Sequence, residues 1–132
     1  MAHPDDLVIS GIGVVCNLGP DAPTALAALR AGRGRPFEPV PEAAAVGCRN
    51  THIGRVGADL SDAALGVTRK EGRFMGRAPR LALHAAREAL AMAGLEGHRD
   101  LAVLVGSGSG DVPTHQDIQA RLERTGVARR VA

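Results

Sequence analysis

The chain has 132 residues, about the length of one domain, and 45% of them are apolar, which argues against extensive disorder. Its formal net charge of +2 is too small to indicate nucleic acid or a membrane surface as a partner. The only aromatic residues are Phe37 and Phe74, so alanine, valine and leucine must fill a core that is therefore thin.

The first predicted unit is a strand, a glycine turn and a helix. From Leu7, an apolar run leads into Gly11 and Gly13, and such a run is typical of a strand buried on both faces. Gly11 and Gly13 allow the backbone to turn sharply or to approach another element closely. Asp21 is a suitable N-cap for a short helix over residues 20–31.

The middle of the chain predicts an irregular segment followed by a long helix. Within residues 33–60, the alternation over residues 51–56 favours a short, half-exposed strand. Residues 77–93 carry apolar side chains at helical spacing, and Gly94 follows as a C-terminal stop. Because proline costs about 3 kcal/mol inside a helix and little at its start, the helix is expected to begin near Pro79 or to be kinked there.

A second unit repeats the order of the first. Residues 101–105 read as a buried strand, residues 106–110 as a glycine-rich turn, and residues 114–125 as an amphipathic helix that Gly126 ends. Two such units separated by a helix predict an α/β protein with a mainly parallel sheet.

The two glycine turns also raise the possibility of a nucleotide site. The dinucleotide fingerprint requires G-x-G-x-x-G, whereas the next glycine after Gly13 is Gly19, which is the wrong spacing. Residues 106–110 could hold an anion with backbone amides but lack the lysine of a phosphate-binding loop, so a structural turn is favoured.

Other candidate chemistry is weaker. His84 and Glu88 lie one helical turn apart and could share a metal ion, but no third ligand follows, so a hydrogen bond or an ion pair is favoured. Cys16 follows a glycine turn and precedes a helix, a position that can activate a thiol, yet a small buried apolar thiol is the better interpretation. Cys48, in the irregular segment, is no better a candidate for a reactive thiol than Cys16 is.

The sequence has no signal peptide and no apolar run near the ~20 residues of a membrane span. A cytoplasmic protein with reduced thiols is therefore expected.

Basic residues form two clusters. Arg69, Lys70 and Arg73 precede the long helix, and Arg129 and Arg130 lie near residue 132. A solvated charged face is the simplest interpretation, and a docking patch for an acidic partner is the alternative.

The chain resembles the β-ketoacyl-acyl carrier protein synthases, the elongating condensing enzymes of fatty acid and polyketide synthesis. From Leu7 it reads L-V-I-S-G-I-G-V-V-C-N-L-G, against the family's V-V-I-T-G-[IL]-G-x-[VL]-[ST]-P-[LIV]-G, with departures at Ser10, Cys16 and Asn17. Further segments resemble the family in the same order. They are residues 28–32, 68–75, 85–95, 105–110 and 126–131. Each motif alone is weak, but their order along nearly the whole chain is specific.

The resemblance implies a thiolase-like α/β fold with α-β-α-β-α layers, of which residues 1–132 would be the N-terminal portion of the N-terminal domain. In this family a cysteine takes an acyl group from the phosphopantetheine arm of an acyl carrier protein, and two histidines promote decarboxylation of a malonyl unit and a Claisen condensation. All three residues are expected beyond the segment that resembles this chain. No catalytic residue, metal site or cofactor other than the carrier's arm is therefore expected here.

The resemblance also implies accessory roles. The positions matching those that dock the acidic carrier protein are Lys70, Arg73, Arg129 and Arg130. Phe74 stands where the family often has a further basic residue. Ser109 stands where a bulky apolar residue often lies near the acyl pocket, which predicts a pocket less suited to simple straight acyl chains. Ser109→Ile in a complete enzyme should narrow the range of chain lengths accepted, and an unchanged range would contradict this role.

Alternative interpretations remain open. The chain could belong to a decarboxylating or chain-length partner subunit that lacks the cysteine, or to a non-catalytic carrier-binding or remnant protein. A small nucleotide-binding α/β domain fits the glycine turns but not their spacing. The family resemblance implies a homodimer, or a heterodimer with a related synthase subunit.

Overall fold

A computed structural model describes residues 7–32, 34, 37–108 and 110–126. Over these residues the regular secondary structure is mostly helical, with one small sheet. The elements are α1 (Ala22–Arg30), β1 (Glu38–Pro39), α2 (Pro41–Ala45), β2 (His52–Ile53), α3 (Arg69–Gly72), α4 (Arg77–Ala93) and α5 (Val112–Thr125). They divide into two compact units. The first unit contains Met1–Asp59 and His84–Gly97, and the second contains Leu60–Leu83 and His98–Ala132.

Helix α1 of the first unit forms where the sequence predicts it. The Asp21 carboxylate accepts a hydrogen bond from the Thr24 backbone N–H at 2.7 Å, and Pro23 lies in the first turn, where it leaves no intrahelical bond unmade. Ala22 and Ala25 on this helix are buried, and they belong to the small apolar core that the described residues form.

Gly11 and Gly13 bring the segment before α1 into direct contact with the backbone of α4. A Cβ on Gly13 would overlap the carbonyl oxygen of Ala85, and a Cβ on Gly11 would overlap that of Ala89. Two glycines facing two alanines therefore allow a backbone-to-backbone approach that larger side chains would prevent.

The prediction of two strands buried on both faces is wrong for the described structure. Residues 7–13 and 101–105 lie outside any helix or strand, and Leu7, Ile9 and Leu104 are exposed. A doubly buried strand needs hydrogen-bonding neighbours at both edges and a covering layer on each face. The described residues supply neither, because their one sheet contains only β1 and β2.

That sheet is antiparallel, so the prediction of a mainly parallel sheet is also not met by the described residues. Glu38 pairs with Ile53 and Pro39 with His52, which places β2 inside the strand predicted from alternation. The Arg55 side chain donates to the Glu38 carboxylate at 2.5 Å across the exposed face of the pair.

In the second unit, α4 begins at Arg77, so Pro79 falls in its first turn, where proline costs little. Helix α5 ends at Gly126, whose left-handed backbone (φ 62°) lets its N–H donate to the Leu122 carbonyl at 2.8 Å. Both helices confirm the sequence prediction. Leu65 is a buried apolar side chain among the described residues of this unit. Among the helices described, none combines the length and apolar character that crossing a membrane would require.

Candidate functional site

The basic residues that precede α4 come together in the second unit. Arg69, Lys70 and Arg73 line one open hollow of about 590 Å³ and are called the basic surface below. Arg69 and Lys70 lie on α3, and Arg73 is its C-cap, so a single helical turn presents all three cations. A short helix is sufficient because residues three and four apart share a face.

A capping box holds this short helix. The Thr68 hydroxyl accepts from the Glu71 backbone N–H at 3.3 Å, and the Glu71 carboxylate accepts from the Thr68 backbone N–H at 2.7 Å. The Thr68 hydroxyl also donates to that carboxylate at 2.6 Å. These hydrogen bonds from Thr68 lower the pKa of Glu71. The one acidic group of α3 is therefore held by Thr68.

Stability should depend on pH through this box. Because the folded-state pKa of Glu71 lies below its ordinary value of 4.5, the box stabilises the fold above about pH 4.5 and its contribution is lost as pH falls through the folded pKa. Glu71→Gln should therefore cost stability in urea unfolding near pH 7, and the difference from wild type should be smaller at pH 3 than at pH 7. Glu96→Gln, at an exposed glutamate, is the matched control. A Glu71→Gln deficit of equal size at both pH values would contradict this prediction.

Arg80 anchors the basic surface to α4. Its Nε donates to the Met75 carbonyl at 3.0 Å, and its two terminal nitrogens donate to the carbonyls of Leu60 and Gly72, each at 2.8 Å. The same side chain pairs with the Asp62 carboxylate at 2.7 Å and is only 19% exposed. A planar guanidinium has enough N–H donors, in the right directions, to bind all of these acceptors, including the last carbonyl of α3. An ammonium group cannot match this arrangement.

Arg73 and Phe74 form a cation–π pair at the edge of the basic surface. The Arg73 guanidinium carbon lies 4.7 Å from the centroid of the Phe74 ring. Phe74 is nonetheless 69% exposed, so the ring presents most of its area to solvent.

Two of the four predicted docking residues, Lys70 and Arg73, therefore share one surface with Arg69, which belongs to the same basic cluster of the sequence. Arg129 and Arg130 lie outside the described residues, as does Ser109, the predicted acyl-pocket residue. Sequence analysis missed Arg80, whose partners range from the Met75 carbonyl, 5 positions away, to the Leu60 carbonyl, 20 positions away. The local signal for α3 is the T-x-x-E signature of its capping box, Thr68 to Glu71.

The other charged cluster lies in the first unit, where α4 carries Glu88. Its two carboxylate oxygens accept from the backbone N–H groups of Val14 and Ala22, each at 2.7 Å. One turn earlier, His84 Nε2 lies 2.7 Å from the Pro20 carbonyl oxygen, to which it can only donate. The hydrogen-bonding interpretation of His84 and Glu88 is confirmed. Within the described ranges, no group of three metal-ligating side chains occurs.

These contacts also account for the first glycine turn. The Ile12 N–H faces the Met92 sulfur at 3.4 Å, and the Val14 N–H is bound by the Glu88 carboxylate. Amides that a phosphate would need are thus occupied, and a carboxylate beside them would repel an anion. The glycines of this turn serve packing against α4.

Cys16 occupies a tight turn. Its N–H donates to the Gly19 carbonyl at 3.0 Å, and the thiol lines a cavity of about 150 Å³ together with Leu18, Pro20 and Thr24, among others. The side chain is half-buried, which corrects the prediction of a buried one, and Cys48 is exposed.

A comparison with protein families gives a match over nearly the whole chain. Residues 5–131 match the family described as "Beta-ketoacyl synthase, N-terminal domain". The chain belongs to this family. The resemblance drawn from ordered short motifs is therefore confirmed, and membership implies that the synthase domain has a thiolase-like fold and belongs to a family of condensing acyltransferases of fatty acid and polyketide synthesis. A comparison of this chain with curated proteins found no significant match.

Proposed function

We propose that the chain is the front portion of a β-ketoacyl-acyl carrier protein synthase and that its basic surface docks the acidic carrier protein. The enzyme would transfer an acyl group from the carrier's phosphopantetheine arm and condense it with a malonyl unit after decarboxylation. The family match supports the reaction class. The convergence of Arg69, Lys70 and Arg73 on one hollow is the observation that carries the docking role.

The electrostatics of α3 favour an acidic partner. Three cations face one hollow, while the nearest carboxylate on the same helix, that of Glu71, is held by Thr68 in the capping box. A cluster of one sign steers an oppositely charged protein toward the surface and accelerates encounter. Arg80 keeps the surface in place through the carbonyls at both ends of the α3–α4 turn.

In this proposal the acyl-accepting nucleophile is not one of the chain's own cysteines. The cavity beside Cys16 is lined by Leu18, Gly19, Pro20, Thr24 and Gly57. None of these carries an imidazole or a carboxylate that could deprotonate the thiol. The domain's contribution to catalysis is then to bind and orient the carrier protein while residues outside this chain perform the chemistry.

Charge reversal on the basic surface should weaken carrier binding. Lys70→Glu is expected to raise the dissociation constant for a bacterial holo acyl carrier protein about tenfold in calorimetric titration at low ionic strength, since it replaces attraction with repulsion. Arg124→Glu on α5 makes the same charge change at an exposed position outside the basic surface and should have a much smaller effect. Equal affinity of the Lys70→Glu variant and the wild type would refute the docking role.

A further inference from the structure

Arg73 belongs to two adjoining hollows of the second unit. One is the hollow of the basic surface, and the other has a volume of about 510 Å³. The apolar side chains lining the second hollow are Phe74, Met75, Pro113 and Ile118. Cationic and apolar surfaces are therefore contiguous, and the Arg73–Phe74 pair forms the boundary between them.

The second hollow offers apolar area with little additional charge. Its lining includes Asp117 and Arg121, which pair with each other at 2.8 Å on successive turns of α5. Phe74 is 69% exposed and Ile118 is 40% exposed, so the hollow leaves apolar area in contact with water. Aromatic side chains at such positions are enriched in protein interfaces, because they bury large area with little loss of side-chain freedom.

The cation–π contact keeps the two surfaces together. The Arg73 guanidinium lies over the ring of Phe74, which orients both side chains while leaving the nitrogens of Arg73 able to bind a carboxylate. A partner that places a carboxylate on Arg73 would thus bring its neighbouring side chain against Phe74.

We propose that Phe74 is a specificity-determining contact that selects a carrier protein whose acidic docking helix has an apolar side chain one turn from its carboxylates. The carboxylates bind the basic surface, and the apolar side chain enters the hollow lined by Phe74 and Ile118. This inference rests on the proposed docking function and adds the pattern that the partner helix must present. The inference also predicts that part of the binding free energy is independent of salt concentration, because salt screens charges but does not weaken the burial of apolar surface.

The test uses the full chain and two synthetic peptides, each stapled as a 15-residue helix. Both peptides carry glutamates four residues apart, and the third residue after the first glutamate is leucine in one peptide and alanine in the other. In fluorescence anisotropy, the wild-type chain should bind the leucine peptide about five- to tenfold more tightly than the alanine peptide. Phe74→Ala should bind the two peptides equally, and Phe74→Leu should recover part of the preference.

Phe37→Ala is the matched control, because Phe37 is the chain's other phenylalanine and is 63% exposed. It should keep the full preference for leucine, and the preference should persist at about 0.5 M salt, where exposed charges are screened. Equal binding of the two peptides by the wild type would overturn the role of Phe74 and leave carrier docking intact, as would a preference that survives Phe74→Ala. Failure of both peptides to bind at about 1 mM would contradict the docking function itself.

Discussion

Gly13→Ala should lower the free energy of unfolding by about 3 kcal/mol or more, because the new methyl group would overlap the backbone of α4. A backbone carbonyl cannot rotate away as a side chain can, so relief requires the segment before α1 to separate from the helix. That separation would stretch the hydrogen bond from the Val14 N–H to Glu88 as well. Urea unfolding followed by circular dichroism measures the loss.

Gly34→Ala is the matched control for this substitution. A Cβ at Gly34 would meet open space, so the same chemical change should alter stability by no more than about 0.5 kcal/mol. Gly11→Ala should behave like Gly13→Ala, since its Cβ would overlap the Ala89 carbonyl. If Gly13→Ala were as stable as the wild type, the close approach to α4 would not exist in solution.

Arg80→Ala should cost about 3 kcal/mol of unfolding free energy and weaken carrier binding. The substitution removes donors from three carbonyls and leaves the Asp62 carboxylate without this cation. Arg80→Lys should restore less than half of the loss, because an ammonium group cannot form the planar fork. Urea unfolding gives the stability change, and titration with a holo acyl carrier protein gives the affinity.

Arg87→Ala removes an exposed arginine from the same helix and provides the control. Alanine and arginine have similar helix propensities, so the change should stay within about 0.5 kcal/mol. Full stability of Arg80→Lys would show that charge alone, and not the fork, supports α3. A loss below about 1 kcal/mol in Arg80→Ala would contradict the anchoring role.

Local signals in the sequence predicted α1, α4 and α5, whereas the short helices α2 and α3 were not predicted. Asp21 and Pro23 mark the start of α1, Gly126 marks the end of α5, and the apolar spacing identified α4. Each of these signals acts within a few residues, so tertiary contacts are not needed to interpret it. The basic cluster was visible because Arg69, Lys70 and Arg73 lie close together in the chain, but the helical turn that presents them was not predicted.

Predictions that depended on distant partners did less well. The apolar runs at residues 7–13 and 101–105 indicated strands, but a ladder requires neighbouring strands that the described residues do not provide. Glu88 binds the Val14 amide 74 positions away, and Arg80 binds the Leu60 carbonyl 20 positions away. Neither contact can be predicted from neighbouring residues. A polar side chain on a helix is expected to be solvated unless the tertiary structure brings a hydrogen-bond donor or acceptor to it.

The docking role of the basic surface is tested most directly by a charge swap between the two proteins. Lys70→Glu should bind a bacterial holo acyl carrier protein about tenfold more weakly than the wild type. A carrier variant with one docking-helix glutamate changed to lysine should bind the wild-type chain poorly and the Lys70→Glu chain close to the original affinity. Restoration by this pair would place Lys70 opposite that glutamate. Each glutamate of the carrier's docking helix can be changed to lysine in turn. If none of these variants restored binding to the Lys70→Glu chain, the proposal that the basic surface docks the carrier protein would be contradicted.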